Sequence, residues 1–172
     1  TDYIIEHLKP NGRAGIIVPE GIIFQAGKAY QTLRKKLVES SLVGVISLPA
    51  GVFQPYSNVK TSILILDKEK SQKSDEIFFA KVENDGFSLG AQRSPISKND
   101  LPRLVSDISN HPSEDKNTSN LNYILKTEIR ENKTTSLNAS SYQKLESQFH
   151  SDFPFSRLAD VCSKITDGSH SS

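Results

Sequence analysis

Within the first 70 residues, three apolar runs are too short for a buried helix and too uniformly hydrophobic for a strand with one wet face. Gly15-Ile16-Ile17-Val18 stops at Pro19, Leu42-Val43-Gly44-Val45-Ile46-Ser47-Leu48 stops at Pro49, and Ser62-Ile63-Leu64-Ile65-Leu66 stops at Asp67-Lys68. Rich in β-branched residues and closed by breakers, they read as strands buried in a sheet with helices packed against it. Between the first and second, Tyr30, Leu33 and Leu37 recur at helical spacing, with Arg34, Lys35 and Lys36 on other faces. Strand, helix, strand predicts a parallel crossover. The second and third runs are joined by about ten residues without a helical pattern, which suits an antiparallel pair better than a crossover. The expected fold class is α/β: a mostly parallel sheet with an antiparallel edge strand.

The flanks are read the same way. Tyr3, Ile4, Ile5 and Leu8 predict the last turns of a helix, stopped by Lys9-Pro10-Asn11-Gly12. Residues 69–75 read as a polar surface loop, Glu76-Ile77-Phe78-Phe79-Ala80-Lys81-Val82 as a strand, and Asn84-Asp85-Gly86 as a turn. Asn99 or Asp100 caps a short helix carrying Leu101, Leu104, Val105 and Ile108. Residues 111–120 hold almost no large apolar side chain and read as a linker. A fresh apolar pattern, Phe155, Leu158, Val161 and Ile165, begins beyond Asp152.

Charge and cysteine usage narrow the function classes. Lys+Arg 21 against Asp+Glu 20 gives a net charge of +1, which argues against a general basic coat for nucleic acid while leaving room for a local patch. A single cysteine, Cys162, excludes an internal disulfide framework and a Cys-rich zinc site. No apolar run approaches the roughly 20 residues of a membrane span, and no signal-peptide pattern opens the chain. The expected location is a reducing, cytoplasmic compartment. The absence of methionine fits an internal piece of a longer protein.

Several kinds of chemistry are missing. Gly12-Arg13-Ala14-Gly15 lacks the ending of a phosphate-binding P-loop, and no nucleophile elbow is present. The histidines His7, His111, His150 and His170 lack metal-ligand spacing, so no metal is expected. What stands out is the segment joining the second and third runs. It holds Phe53, Tyr56, Ser57, Asn58, Lys60 and Thr61. Aromatics, hydroxyls and a lysine on one loop can stack on a base and meet a phosphate. The same aromatics can also simply cover the end of the core, and chemistry alone favours that plainer reading.

A resemblance covers residues 1–145. Leu8-Lys9-Pro10-Asn11-Gly12-Arg13-Ala14-Gly15-Ile16-Ile17-Val18-Pro19-Glu20-Gly21 followed by Phe24 resembles a stretch of the adenine-N6 DNA methyltransferases of type I restriction-modification systems. Tyr30 with Arg34-Lys35 and Leu37 resembles their next helix. Val45-Ile46-Ser47-Leu48-Pro49, Gly51-Val52-Phe53 and Val59-Lys60-Thr61-Ser62-Ile63-Leu64 resemble their following pair of strands. Asn84-Asp85-Gly86-Phe87-Ser88-Leu89 and Ser136-Leu137-Asn138 with Tyr142 match shorter signatures. No single motif is specific; their order is. Farther on, Leu158-Ala159-Asp160-Val161-Cys162 with Ile165-Thr166-Asp167-Gly168-Ser169-His170 resembles the opening of a specificity-subunit target-recognition domain, as in a fused type IIG-like protein.

The resemblance implies a Rossmann-like methyltransferase that binds S-adenosylmethionine and acts on an adenine flipped out of double-stranded DNA. Specificity and restriction subunits, or fused domains, are its implied partners. The family's cofactor turn and its Asn/Asp-Pro-Pro-Tyr/Phe motif are not in this sequence and are expected upstream of Thr1, so no catalytic residue is expected here and the chain alone is expected to be inactive. Residues 1–83 are expected to be the C-terminal half of the catalytic core, 84–150 an extension and linker, and 151–172 the start of the recognition domain. Candidate base or DNA contacts are Phe53, Tyr56, Ser57, Lys60, Thr61 and Leu66, the last standing where relatives have an aromatic residue. Asp167, Gly168 and His170 are the recognition-domain candidates. The rival expectation is a non-catalytic DNA-recognition or assembly module that keeps the methylase fold. More distant is an unrelated α/β nucleotide-binding protein, which lacks its Gly-rich turn here.

Overall fold

The three apolar runs form neighbouring strands of one sheet. The computed structural model describes residues 1–110 and 120–142, and in it the runs become β1 (Arg13–Pro19), β2 (Leu42–Ser47) and β3 (Thr61–Asp67). β4 (Glu76–Lys81) follows. Next comes a separate two-stranded hairpin of β5 (Asp85–Phe87) and β6 (Pro95–Asn99), and then β7 (Leu121–Leu125) returns to the main sheet. The helices are α1 (Asp2–His7), α2 (Glu20–Phe24), α3 (Lys28–Ser40), α4 (Lys68–Lys73), α5 (Leu101–Asn110) and α6 (Lys126–Glu131). Among the described residues, no helix is long and apolar enough to cross a membrane.

The strand order is β1-β3-β2-β4-β7. β2 and β4 pair in parallel, while β1–β3, β2–β3 and β4–β7 are antiparallel. The expected antiparallel pair is present, with Val45 opposite Leu64 and Ile46 opposite Ile63. Its place differs from expectation. β3 is not at the edge but is inserted between β1 and β2, so β1, β2 and β4 run one way with β3 reversed among them. The insertion gives β3 a ladder on both sides, which a strand this buried requires for its N–H and C=O groups. β1 is the outer strand instead, and Ile17 within it is 54% exposed rather than buried.

Alternation along the strands feeds two cores. Val45, Leu64, Ile77 and Phe79 join Leu37 and Val38 of α3, Ile129 of α6 and Leu137 on one face. On the other, Ala80, Val82 and Leu121 pack with Leu104 of α5. Beyond α5 that second face opens into a cavity of about 650 Å³ over Gly15, Val43, Ile65, Phe78 and Tyr123. The Phe78 ring lies directly on Gly44, where a Cβ would stand 2.0 Å from it. Such close approach is what a glycine inside a strand permits.

Several short elements depart from the sequence reading. Residues 69–75, expected to be a loop, carry most of α4, whose N-cap carboxylate Asp67 accepts from Lys70 N at 2.8 Å. α2 fills a stretch in which the sequence predicts no helix or strand, and Asp85-Gly86-Phe87 is strand rather than turn, with Gly86 at φ +86°. Elements of three to six residues are too brief to show a period. The helix over residues 101–110 forms as expected, and Asn99 Oδ1 accepts from Leu101 N at 3.0 Å at its start.

Arg34 is the larger departure. Expected on a face away from the apolar stripe, it is 0% exposed. Its guanidinium donates to four carbonyls: Nε to Thr135 at 2.9 Å, Nη1 to Ile22 at 2.9 Å, and Nη2 to Gln25 and Thr134, each at 2.7 Å. Burial lowers its pKa, yet a guanidinium stays charged in any protein setting. The bond from Leu137 N to Ile23 O, 2.8 Å, runs alongside. Nearby, the Tyr142 hydroxyl donates to Ser136 O, its ring centroid lies 6.1 Å from that of Phe79, and burial pushes its pKa up to about 12.

Replacing Arg34 with leucine leaves four carbonyls without this donor, and urea denaturation should show a loss of about 3–5 kcal/mol. Lysine should rescue little, because a single ammonium cannot reproduce the planar fork. The phenol of Tyr142 ionises near 10 when unfolded and near 12 when folded. Between those values the unfolded state holds fewer protons, so stability contributed below pH 10 is lost as pH rises through the window. Tyr142→Phe should flatten that alkaline decline in thermal melts taken from about pH 9 to about pH 12, which spans the free and the raised phenol.

Candidate functional site

In open α/β sheets, ligands gather outside the carboxyl ends of parallel strands. Here that rim is formed by the ends of β1, β2 and β4, and the β2–β3 connection crosses it. Leu48 N donates to Thr61 O at 3.0 Å, closing the base of the loop. Gly51 turns the chain at φ +87°, where a Cβ would stand 3.1 Å from Leu89 O. Gln54 N then donates to Gly51 O, and the Tyr56 and Ser57 N–H groups to Phe53 O, at 2.9–3.1 Å. These internal bonds give the loop a defined shape with its apolar tip outward: Tyr56 is 94% exposed, and Phe53 is half-buried. Ser57 Oγ accepts from Val59 N at 3.2 Å.

At the loop's end, Lys60 Nζ meets Glu20 Oε1 at 2.6 Å, and Glu20 N donates to Lys60 O at 3.0 Å. The start of α2 and the end of the loop are thus joined by both backbone and charge. Glu20 was not singled out from sequence, although Pro19-Glu20-Gly21 lies inside the resembling stretch.

The structure gathers Phe53, Tyr56, Ser57 and Lys60 on one exposed loop. It corrects two other candidates. Thr61 is buried as the first residue of β3, its hydroxyl without a hydrogen-bond partner among the described residues. Leu66 is fully buried near the opposite end of β3, paired between Ala14 and Leu42. Its side chain lies in the core beneath the helices at the far end of the strand, so Leu66 serves that core and cannot meet a base beside the loop. Asp167, Gly168 and His170 lie outside the described residues.

A neighbouring pocket of about 300 Å³ was not legible in the sequence. Lys60 lines it with Ser47, Lys81, Asn120, Asn122, Asn138 and Ser140. Ammonium, amide and hydroxyl groups make this a donor-rich set, suited to an anion. Lys81 is itself paired with Glu83 at 2.7 Å. Of its lining, the sequence singles out Lys60 as a candidate contact and places Asn138 in a short signature. Among the described residues, no group of His, Cys, Asp or Glu could hold a metal ion.

The comparisons with known proteins agree with this architecture. A family model described as N-6 DNA Methylase matches residues 1–151. The methylase subunit of the type I restriction enzyme EcoEI from Escherichia coli is 41% identical over 78 residues, covering 44% of this chain and 15% of that protein. The MpnII methylase subunit of Mycoplasma pneumoniae is 36% identical over 111 residues, covering 64% of this chain and 20% of the relative. The crystal structure of a type I restriction-modification methyltransferase subunit from Streptococcus thermophilus superposes with a TM-score of 0.59 at 27% identity, over 76% of this chain and 27% of that one. The chain therefore spans only a minor part of the length of these relatives. With the family model matching most of its residues and the same fold in a solved relative, the chain belongs to the N-6 DNA methylase family.

Proposed function

We propose that this chain is part of a restriction-modification methyltransferase that moves a methyl group from S-adenosylmethionine to adenine N6 in double-stranded DNA, working with specificity and restriction subunits or fused domains in the cytoplasm. Its own share is to complete the sheet and to carry the loop that meets DNA beside the target base. One observation supports this above others: Tyr56 stands almost wholly in solvent on an internally bonded loop, with Lys60 and a donor-rich pocket beside it. An exposed aromatic costs solvation unless something stacks on it, and a flipped base offers a π-face. Lys60 and the pocket suit the flanking phosphates.

The described residues do not fit the cofactor. The turns that leave the carboxyl ends of β1 and β2 are not glycine-rich cradles, and the rim carboxylates Glu20 and Glu83 are each paired with a lysine. On this reading the S-adenosylmethionine site, and the group that aligns the adenine amine, lie outside this chain. Residues 151–172 we assign to the opening of a recognition domain, with Asp167, Gly168 and His170 its candidate contacts.

The decisive experiment is labelled-methyl transfer to DNA by the full-length protein and by this chain side by side. Activity in the first and none in the second is the expected result. Silence in a folded full-length protein that still binds DNA would instead support the non-catalytic recognition module. In the active protein, Lys60→Ala should weaken DNA binding and reduce the slope of log K against log salt by about one. Tyr56→Ala should weaken flipping, read by 2-aminopurine fluorescence, by roughly 1–3 kcal/mol. An unchanged slope removes Lys60 from the phosphate contacts, and unchanged fluorescence removes Tyr56 from the base contacts.

A further inference from the structure

The β5–β6 hairpin is not part of the main sheet, yet it grips the candidate loop. Arg93, just before β6, sends Nη1 to Val52 O and Nη2 to the Asp85 carboxylate. Its guanidinium sits over the Phe87 ring, 5.4 Å from the centroid. The Arg93 and Asp85 side chains are only 16% and 11% exposed. One residue before Val52, Gly51 leaves room for the hairpin backbone at Leu89 O. Contact is therefore made where the loop turns, not at its tip.

The hairpin is itself firmly based. Asp100 Oδ2 accepts from Glu83 N at 2.9 Å and Asn84 N at 2.7 Å, and these backbone bonds hold its carboxyl below the usual range. Asp100 N returns a bond to Asn84 O at 2.8 Å. Across the hairpin, Ser88 N donates to Ser94 O and Ser94 N to Ser88 Oγ, at 2.9 and 3.0 Å. By contrast the loop's own tip, Pro55 and Tyr56, is exposed. The loop's internal bonds give the tip its shape, and the contacts at its root set where it sits.

We propose that Arg93 is a positioning residue for the loop: held by Asp85 and stacked on Phe87, it pins the Val52 carbonyl and so sets where Tyr56 stands before DNA arrives. The proposal rests on the reading that this loop meets DNA. It explains why an arginine is used. A planar fork reaches a carbonyl and a carboxylate at once while stacking on a ring, and a lysine cannot do all three. Fixing the loop in advance spares the ordering cost when DNA binds.

The test uses the full-length protein with two variants. Arg93→Lys keeps a charge for Asp85 but loses the fork. The double variant Arg93→Met/Asp85→Leu removes both charges, so neither is left stranded in a buried site. Hydrogen exchange of residues 50–60 should rise about tenfold in both, with α3 and β3 unchanged, since a factor of ten is what one lost interaction of this size yields. The KM for DNA should rise with kcat largely kept, and the 2-aminopurine signal should fall; a merely structural role would not divide the kinetic constants this way. Faster exchange with an unchanged DNA response would uphold the clamp and overturn the loop's role in DNA contact. Unchanged exchange in both variants would overturn the clamp itself.

Discussion

A guanidinium buried with no carboxylate paired to it among the described residues is the constraint on which the rest of this structure depends. Arg34 resolves that difficulty by spending all its directions on main-chain carbonyls, two from the α2–α3 region and two from residues 134 and 135. Those carbonyls have no regular ladder to satisfy them, so each side would otherwise bury unpaired acceptors. The arginine thus turns two irregular segments, about a hundred positions apart, into one layer over the sheet. Its consequences reach the rim. α2 is held at its carboxyl end by this network and begins at Glu20, which holds Lys60 at the end of the loop. The candidate loop is fastened at both ends, by the Arg34 layer through α2 and by Arg93 through Val52.

The sheet makes the loop necessary. To return β3 between β1 and β2, the chain leaves β2 at the rim, turns, and re-enters reversed. A parallel neighbour would have required a helix in that connection. Because the strand is antiparallel, the connection is free to remain a short, internally bonded loop at the carboxyl end of the sheet, where α/β folds place their ligands. Topology, rather than any one residue, puts Tyr56 and Lys60 there.

These relations explain what could be read from the residues and what could not. The strands were legible because a run such as Ser62-Ile63-Leu64-Ile65-Leu66 has the composition of a fully buried strand whatever its neighbours. The antiparallel sense of β2 and β3 was legible from their short connection. The order was not, since no pattern in β1 says whether β2 or β3 lies beside it. Arg34 was misplaced for a related reason: helical spacing puts it off the Leu33–Leu37 stripe, and the carbonyls that draw it inward lie far along the chain. Leu66 failed as a base contact because resemblance supplied a position, while burial in the helix-side core at the far end of β3 decided its role. The loop residues were legible as chemistry, but the pocket of Ser47, Lys81, Asn120, Asn122 and Asn138 is assembled from separate segments that no local window contains.

The charges around this site follow one rule. Lys60 is matched by Glu20, Lys81 by Glu83 and Arg93 by Asp85, and the whole chain carries a net charge of only +1. Long-range attraction is therefore weak, and on the proposed reading DNA is not drawn to this face by charge alone. The pairs differ in what they can do next. Lys60 and Lys81 are exposed enough that their ion pairs contribute little, about 0–1 kcal/mol each, so a phosphate can take the place of a glutamate at small cost. The Arg93–Asp85 pair is largely buried, and breaking it would strand a charge. The same surface thus holds two exchangeable lysines and one arginine that must stay where it is. That division suits a site in which phosphates come and go while the loop bearing Tyr56 remains in place.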